Sequence, residues 1–300
     1  MTIPQIKTIA VIGAGIMGRG IAHAAATGGY RTILEDILPT SLRRAEAEIR
    51  GTLDQGVELG KLSKHQADEA FGRIEFASSV EDAARAADLV IEAVPEEMES
   101  KLEIFTLLDK VCRPETILAS NTSSLSVTEI VSVTYHPRRC VGMHFFNPVH
   151  KMKLLEVIRA LDSSDDAIAA AVEVGKRMGK EVVVIRESPG FITSRINAMI
   201  GNEAFFMLQE GVASAEDIDK AIKLGLNHPM GPFEMVDLVG LDTRLHVLEY
   251  LHKTMGDKYR PAPLLVQYVK AGRLGRKAGR GVYEYPEQKA GKGASAESSK

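Results

Sequence analysis

The chain has 300 residues, of which 45% are hydrophobic, and its formal net charge at pH 7 is −3. This length allows one or two domains with substantial cores. Because the charge balance is slightly acidic, Trp is absent and aromatic residues make up only 5% of the chain, we expect no nucleic-acid partner.

Cysteine spacing, hydropathy and the first residues bear on the compartment. The two cysteines, Cys112 and Cys140, have neither the spacing of a metal site nor that of a redox pair, so we expect reduced thiols in a cytoplasmic protein. We expect no membrane span, since no run of about 18 apolar residues occurs, and no bound metal, since motifs such as HExxH are missing. The chain enters a strand almost at once, so we expect no secretion signal.

The first 36 residues predict a dinucleotide-binding βαβ unit. A β-branched strand at residues 8–12 leads into a GxGxxG pattern, a helical pattern follows, and a second strand closes on Asp36. Gly13 permits the tight turn, Gly15 lets backbone amides approach a pyrophosphate, and Gly18 lets helix and strand pack closely. Asp36 would accept hydrogen bonds from the adenosine ribose and repel a 2′-phosphate, which favours NAD over NADP. A glycine-rich structural turn is the alternative. The predicted cofactor contacts are Gly13, Gly15, Ile16, Met17, Gly18 and Asp36.

A long crossover and three further strands follow. Helical patterns around a corner at residues 61–64 indicate a protruding helical hairpin, inserted at about 39–72. Its lysines could touch an anionic ligand, although a solvated tip is the simpler interpretation. Apolar runs at 74–76, 88–94 and 116–120 predict buried strands, with helices at 80–86 and 98–111 between them.

Residues 121–124 read Asn-Thr-Ser-Ser and follow the strand at 116–120. Open α/β sheets bind ligands at the carboxyl ends of their strands, so these polar side chains are candidates for a site. Such a run is also typical of a helix N-cap. The residues alone favour the N-cap.

Apolar runs at 141–146 and 154–158 flank an Asn147-Pro148 turn and predict a β-hairpin. If the strands pair antiparallel about a centre near His150, His144 lies opposite Glu156, with the Cβ atoms roughly 4.5–5.5 Å apart. A His held by a buried carboxylate is a general-base arrangement. A purely structural ion pair is the alternative.

The pattern becomes helical towards the C-terminus. A helix at 165–178 and a strand at 181–185 precede Pro189-Gly190, after which only helical patterns follow, at 192–209, 215–224, 232–251 and 263–271. We therefore predict an α/β chain with an N-terminal Rossmann-type doubly wound sheet, mostly parallel with antiparallel additions, and an all-α C-terminal domain. The predicted boundaries are 1–187 for the NAD-binding domain, 188–286 for the helical domain and 287–300 for a disordered tail.

Seven short motifs occur in the order GAGIMG (13–18), SNTSSL (120–125), GMHFFNP (142–148), LLEV (154–157), PGF (189–191), HPMGPFE (228–234) and GRGVY (279–283). Together they resemble the 3-hydroxyacyl-CoA dehydrogenase family, which includes bacterial 3-hydroxybutyryl-CoA dehydrogenases. The resemblance covers the chain to about Tyr285. It implies NAD as cofactor and an acyl-CoA substrate.

The resemblance also implies roles for individual residues. His144 matches the catalytic base, Glu156 its carboxylate partner, and Ser123 a residue that touches both substrate and cofactor. Family members bind CoA near the helical hairpin, which makes Lys61 and Lys64 candidate CoA contacts. The helical domain is expected to carry substrate contacts and to form a homodimer. The further cofactor contacts implied are Glu96, Lys101, Asn147 and Lys277.

Ser194 departs from the family pattern, which usually has Asn at that position. That Asn is implicated in substrate positioning and catalysis. Serine is shorter and has one donor, so it would reach the substrate through a water. Asn197 lies three residues on, roughly on the same helix face. We expect Ser194 to be a substrate contact.

These residues predict an NAD-dependent dehydrogenase that reversibly oxidises an L-3-hydroxyacyl-CoA of short chain, such as 3-hydroxybutyryl-CoA, in fatty-acid or related metabolism. One alternative is a related NAD-dependent dehydrogenase of a free hydroxy acid or sugar acid. A catalytically impaired NAD-binding protein is the other.

Overall fold

The computed structural model describes residues 5–285. The chain divides into two compact units, the first ending at Ser188 and the second beginning at Pro189. The predicted disordered tail, residues 287–300, lies outside the described residues. No helix within the described range is long and apolar enough to cross a membrane.

The first unit is built on one eight-stranded sheet in the order β3-β2-β1-β4-β5-β6-β7-β8. All neighbouring strands are parallel except β6 and β7, which are antiparallel. The predicted fold class is confirmed. The strands are β1 Thr8–Ile12, β2 Arg31–Glu35, β3 Ile74–Ala77, β4 Leu89–Glu92, β5 Ile117–Ser120, β6 Cys140–Phe145, β7 Leu154–Arg159 and β8 Glu181–Arg186.

Central strands of this sheet are buried along their whole length. Every residue of β1, β4 and β5 is buried, as expected of parallel strands with helices on both faces. Their carboxyl ends therefore share one edge, where the polar residues of the candidate site begin. The helices of this unit are α1 Ile16–Thr27, α2 Pro39–Glu58, α3 Lys64–Gly72, α4 Val80–Arg85, α5 Met98–Val111, α6 Val127–Val131 and α7 Asp165–Arg177.

Helices α2 and α3 form the helical hairpin within the crossover from β2 to β3. Ser63 caps α3 by a reciprocal capping box, in which its Oγ accepts from the Gln66 amide at 3.1 Å and the Gln66 side chain accepts from the Ser63 amide at 2.8 Å. An Arg50–Asp68 ion pair of 2.8 Å joins the two helices.

The second unit is helical, and it corrects one predicted element. Residues 232–251 were expected to form one helix, but α10 ends at Val239 and α11 begins at Leu241. Gly240 between them has φ +106°, a conformation incompatible with a helix and favourable only for glycine. The helices are α8 Thr193–Gln209, α9 Ala215–Gly225, α10 Pro232–Val239, α11 Leu241–Met255 and α12 Pro263–Lys270.

Two buried carboxylates hold the C-terminal segment of this unit. Asp237 accepts hydrogen bonds from the amides of Val282 and Tyr283, both at 2.9 Å. Asp219 accepts from the Tyr283 hydroxyl at 2.8 Å and from the Phe233 amide at 2.8 Å. The HPMGPFE and GRGVY motifs therefore include contacts that build this unit.

Candidate active site

His144 and Glu156 face each other across the antiparallel pair of β6 and β7. The strand register pairs these two residues, which confirms the register predicted from the sequence. His144 Nδ1 lies 2.7 Å from Glu156 Oε2, and the two residues are 5% and 1% exposed. An ionised carboxylate can only accept, so Nδ1–H is the donor. The pairing fixes the orientation of the imidazole ring.

The loop after β6 is anchored at both ends. The amide of Phe145 donates to Asn121 Oδ1 at 2.9 Å, which ties the end of β6 to the residue that follows β5. Further along, the Lys180 ammonium donates to the backbone oxygens of Val149 and of Met152, the latter at 2.8 Å. These contacts fix the segment that carries Asn147, one of the implied cofactor contacts.

Residues Thr122 to Ser124 wrap around the carboxylate of Glu96. Glu96 Oε1 accepts from the Thr122 hydroxyl at 2.7 Å, the Ser123 amide at 2.7 Å, the Ser123 hydroxyl at 3.1 Å and the Ser124 amide at 3.3 Å. The interpretation of residues 121–124 as a helix N-cap was wrong, because α6 begins later and Ser126 caps it. The backbone amides of the loop bind the Glu96 carboxylate instead.

Three neighbouring charges, those of Glu92, Lys101 and Glu96, support this loop. Lys101 is 1% exposed, and its Nζ lies 2.7 Å from Glu92 Oε1 and 3.3 Å from Glu96 Oε2. Glu92, fully buried, also accepts from the Ser120 hydroxyl at 2.6 Å and the Val94 amide at 2.8 Å.

The two carboxylates differ in proton affinity. Burial raises the pKa of Glu92 above its ordinary value despite the neighbouring donors. Burial also acts on Glu96, but the Lys101 ammonium and the donors of the Ser123 loop outweigh it and lower the pKa of Glu96. Glu96 is therefore held as an anion beside Ser123. Sequence reasoning missed Glu92, and its only signal was an acid inside an otherwise apolar strand.

The glycine-rich turn has the shape that a dinucleotide needs. Gly13 has φ +99°, and a Cβ on Gly18 would lie 1.7 Å from the Gly13 oxygen, so both positions require glycine. A Cβ on Gly15 would meet nothing within 4 Å. Gly15 precedes α1 and offers no side-chain cap, so the first amides of that helix can face an anion.

Asp36 lies beside the same turn. Its Oδ2 accepts from the Ala14 amide and its Oδ1 from the Leu38 amide, both at 2.9 Å. Each oxygen retains a second lone pair for a ribose hydroxyl. The turn, the start of α1 and Asp36 therefore fit NAD. Ile16, 58% exposed, and the partly buried Met17 stand on the first turn of α1.

A cavity of about 150 Å³ borders Asn147. It lies between α1, α2 and the segment after β6, and its lining includes Arg19, His23, Glu48 and His150. Burial lowers the pKa of His23 to about 4 and also lowers that of His150. Both imidazoles are therefore neutral at pH 7. At the hairpin tip, Lys61 is exposed and Lys64 pairs with Asp68 at 3.2 Å.

Two predicted site residues lie in the helical unit. Ser194 is the second residue of α8 and is partly buried, and Asn197 follows on the same helix. Lys277 Nζ lies 2.7 Å from Asp242 Oδ2 at the start of α11.

Comparison with known proteins identifies both units. Residues 8–188 match the family model described as the 3-hydroxyacyl-CoA dehydrogenase NAD-binding domain, and residues 190–285 match the C-terminal domain of the same family. The 3-hydroxybutyryl-CoA dehydrogenase of Bradyrhizobium diazoefficiens is 45% identical over 281 residues, which cover 93% of this chain and 96% of the relative. That of Clostridioides difficile is 43% identical over 278 residues, covering 92% and 99%.

A solved structure gives the same result. The crystal structure of (S)-3-hydroxybutyryl-CoA dehydrogenase from Ralstonia eutropha superposes with a TM-score of 0.92 at 43% identity, covering 94% of this chain and all of that one. The predictions of NAD as cofactor and of an NAD-dependent oxidoreductase are confirmed. The chain belongs to the 3-hydroxyacyl-CoA dehydrogenase family.

Proposed function

We propose that the enzyme reversibly oxidises a short-chain L-3-hydroxyacyl-CoA, such as 3-hydroxybutyryl-CoA, to the 3-oxoacyl-CoA. The observation that carries this proposal is the buried His144–Glu156 pair of 2.7 Å at the carboxyl edge of the sheet. The relatives named as 3-hydroxybutyryl-CoA dehydrogenases support the substrate class.

In this mechanism His144 moves the proton of the substrate hydroxyl. His144 Nε2 takes the proton, and Glu156 stabilises the imidazolium that forms, since its carboxylate already accepts from Nδ1. When bound, NAD⁺ supplies the acceptor for the hydride that leaves C3. In the reductive direction His144 starts protonated and acts as the acid.

Ser123 supplies a second contact to the reacting oxygen. Its hydroxyl donates to Glu96 Oε1 at 3.1 Å in the structure. With substrate bound it would turn and donate to the reacting oxygen of either the hydroxyl or the 3-oxo form, because the single proton of the substrate hydroxyl goes to His144 Nε2. Glu96, held as an anion by Lys101, keeps the Ser123 backbone in place for both directions.

The remaining implied cofactor contacts are part of the same proposal. Asp36 and the glycine-rich turn would bind the adenosine and pyrophosphate, and Asn147, Glu96 and Lys101 would lie towards the reacting end. Lys101 is buried between two carboxylates, so its contribution is to set the charge and position of Glu96. Lys277 and Ser194 are proposed contacts from the helical unit.

A substrate comparison tests the proposed function. We expect NADH oxidation with acetoacetyl-CoA and little or none with unesterified acetoacetate. Turnover of the free acid at a comparable kcat/KM would instead support a dehydrogenase of free hydroxy acids. NADH binding without turnover of any 3-oxoacyl-CoA from C4 to C16 would support an impaired NAD-binding protein.

We also propose a cytoplasmic homodimer. The helical unit exposes large apolar side chains on and near α9, including Leu224 at 76% and Leu226 at 63%, which suits a protein interface. Cys112 and Cys140 are buried free thiols, which supports the cytoplasmic part of the proposal because disulfides are rare in that compartment. Burial raises the pKa of each thiol, to about 11 and about 12. Light scattering on the purified enzyme tests the dimer, and a monomer at micromolar concentration would contradict it.

A further inference from the structure

Glu35 is a buried carboxyl beside the cofactor site that the proposed reaction does not use. It is the last residue of β2 and directly precedes Asp36, and its backbone oxygen accepts from the Gly13 amide at 2.9 Å. Its side chain is 2% exposed, and its Oε1 has no hydrogen-bond partner among residues 5–285. Buried acceptors of this kind are rare and need a reason.

The charges that act on Glu35 do not compensate its burial. Burial is the largest effect on its proton affinity, the anions Asp36 and Glu81 add to it, and the amide of Gly13 opposes them. Together they raise the pKa of Glu35 to about 7. Glu35 therefore gains or loses its proton near pH 7.

No cation forms an ion pair with Glu35 within the part of the chain that the structure describes. Arg19 on α1 pairs with Glu48, and Arg31 at the start of β2 pairs with Glu75 of β3. The other titratable side chains on the elements packed against β2 are His23 on α1 and Asp82 and Arg85 on α4.

NAD brings further negative charge to this location. The pyrophosphate would be held at the turn that contains Gly13, and the adenosine ribose by Asp36. Both Gly13 and Asp36 are direct neighbours of Glu35. Added anionic charge and the loss of nearby water both favour the neutral form of a carboxyl group.

We propose that Glu35 is a proton-binding site coupled to the cofactor: it is protonated in the complex with NAD or NADH, and its ionised form disfavours that complex. The inference rests on NAD binding and does not depend on the proposed acyl-CoA substrate.

The sign of the pH dependence follows from linkage. Below about pH 7 Glu35 already carries its proton, and the cofactor binds at full affinity. Above that pH the complex must take up a proton, so affinity falls by at most about tenfold per pH unit for a single group. Between pH 6 and pH 8.5 the Kd for NADH should therefore rise by about five- to thirtyfold.

The experiment measures NADH binding to the full-length enzyme without acyl substrate. Calorimetry at pH 7 in two buffers of different ionisation enthalpy counts the protons exchanged, and fluorescence titration gives the Kd from pH 6 to 8.5. We expect uptake of up to about half a proton at pH 7. In Glu35→Gln this contribution should disappear, and the Kd should stay near the value of the wild type at pH 6.

Three further variants make the result specific. Glu75→Gln removes an exposed carboxylate from the adjacent strand and should leave the profile of the wild type unchanged. Glu81→Gln removes one of the anions that raise the pKa of Glu35, so Glu35 should ionise at a lower pH. The rise in the Kd for NADH should therefore begin at a lower pH than in the wild type. Glu35→Met keeps the volume without a polar atom and serves if the Gln variant fails to fold.

Proton exchange by groups other than Glu35 would appear equally in the wild type and in Glu35→Gln. The decisive quantity is therefore the difference between these two proteins. Equal proton uptake and parallel Kd profiles would overturn the proposal, whatever substrate the enzyme proves to use. A rise in the Kd for NADH with pH that occurs in the wild type and is absent from Glu35→Gln supports it.

Discussion

The ammonium of Lys101 lies 2.7 Å from the carboxylate of Glu92, and both side chains are at most 1% exposed. Beyond this pair, the same ammonium lies 3.3 Å from Glu96, which binds the amides and hydroxyls of the Ser123 loop. The buried ammonium of Lys101, which lies between Glu92 of β4 and Glu96, thus sets the position of the loop proposed to contact the substrate.

Removal of one partner of this pair should be costly. Lys101→Met leaves Glu92 buried without its cation, and we expect a loss of about 3–5 kcal/mol in the free energy of unfolding. The double variant Glu92→Gln/Lys101→Met should recover most of this, because neutral side chains of similar size need no counter-charge. Urea unfolding of the three proteins measures both effects. Equal stability of Lys101→Met and the wild type would contradict the ion pair.

Gly15→Ala should separate ligand binding from folding. An added Cβ meets nothing within 4 Å, and Gly15 has φ −64°, which alanine adopts readily, so the free energy of unfolding should change by less than about 1 kcal/mol. The methyl group would occupy the space through which a pyrophosphate approaches. We therefore expect the Kd for NADH to rise at least tenfold. Gly18→Ala, whose Cβ would strike the Gly13 oxygen at 1.7 Å, is the contrasting variant and should lose stability as well.

Ser194→Asn should restore a longer donor at the second position of α8. One additional hydrogen bond contributes about 0.5–1.5 kcal/mol, which corresponds to a rise of about two- to twelvefold in kcat/KM for acetoacetyl-CoA. The Kd for NADH should not change, because the substitution adds a substrate contact. An unchanged kcat/KM would remove Ser194 from the proposed substrate contacts.

Glu35 also predicts a pH dependence of stability. Its pKa is raised from 4.5 to about 7 by burial and by Asp36 and Glu81. Its stabilising contribution to the free energy of unfolding is therefore fully present below about pH 4.5 and is lost as the pH rises through about 7. Glu35→Gln lacks this loss, so its free energy of unfolding relative to the wild type should increase between pH 5 and pH 8. A constant difference across that range would contradict the raised pKa.

Local patterns were sufficient to predict much of the fold. The GxGxxG turn, the buried strands and the pairing of His144 with Glu156 depend on periodicities of a few residues and on one hairpin register. The break at Gly240 was missed because helical periodicity continues through it, and only the backbone conformation shows that α10 and α11 are separate.

Long-range contacts explain what the sequence could not predict. Residues 121–124 resemble a helix cap until Glu96, 27 residues before Ser123, is seen to accept their amides. Glu92 is one acid within an apolar strand, and its importance depends on Lys101 from the following helix. Glu35 likewise precedes Asp36 in the sequence, and only the structure shows that its carboxyl group is buried.

The central claim is that His144 moves the substrate proton while Glu156 holds its ring. Steady-state NADH oxidation by acetoacetyl-CoA in His144→Gln and Glu156→Gln tests it most directly, with the Kd for NADH measured in parallel. General acid–base catalysis contributes about 10²–10⁴-fold. The kcat of His144→Gln should therefore fall by at least about a hundredfold, while the Kd for NADH stays near that of the wild type. Retention of more than about a tenth of the wild-type kcat in His144→Gln would contradict the mechanism.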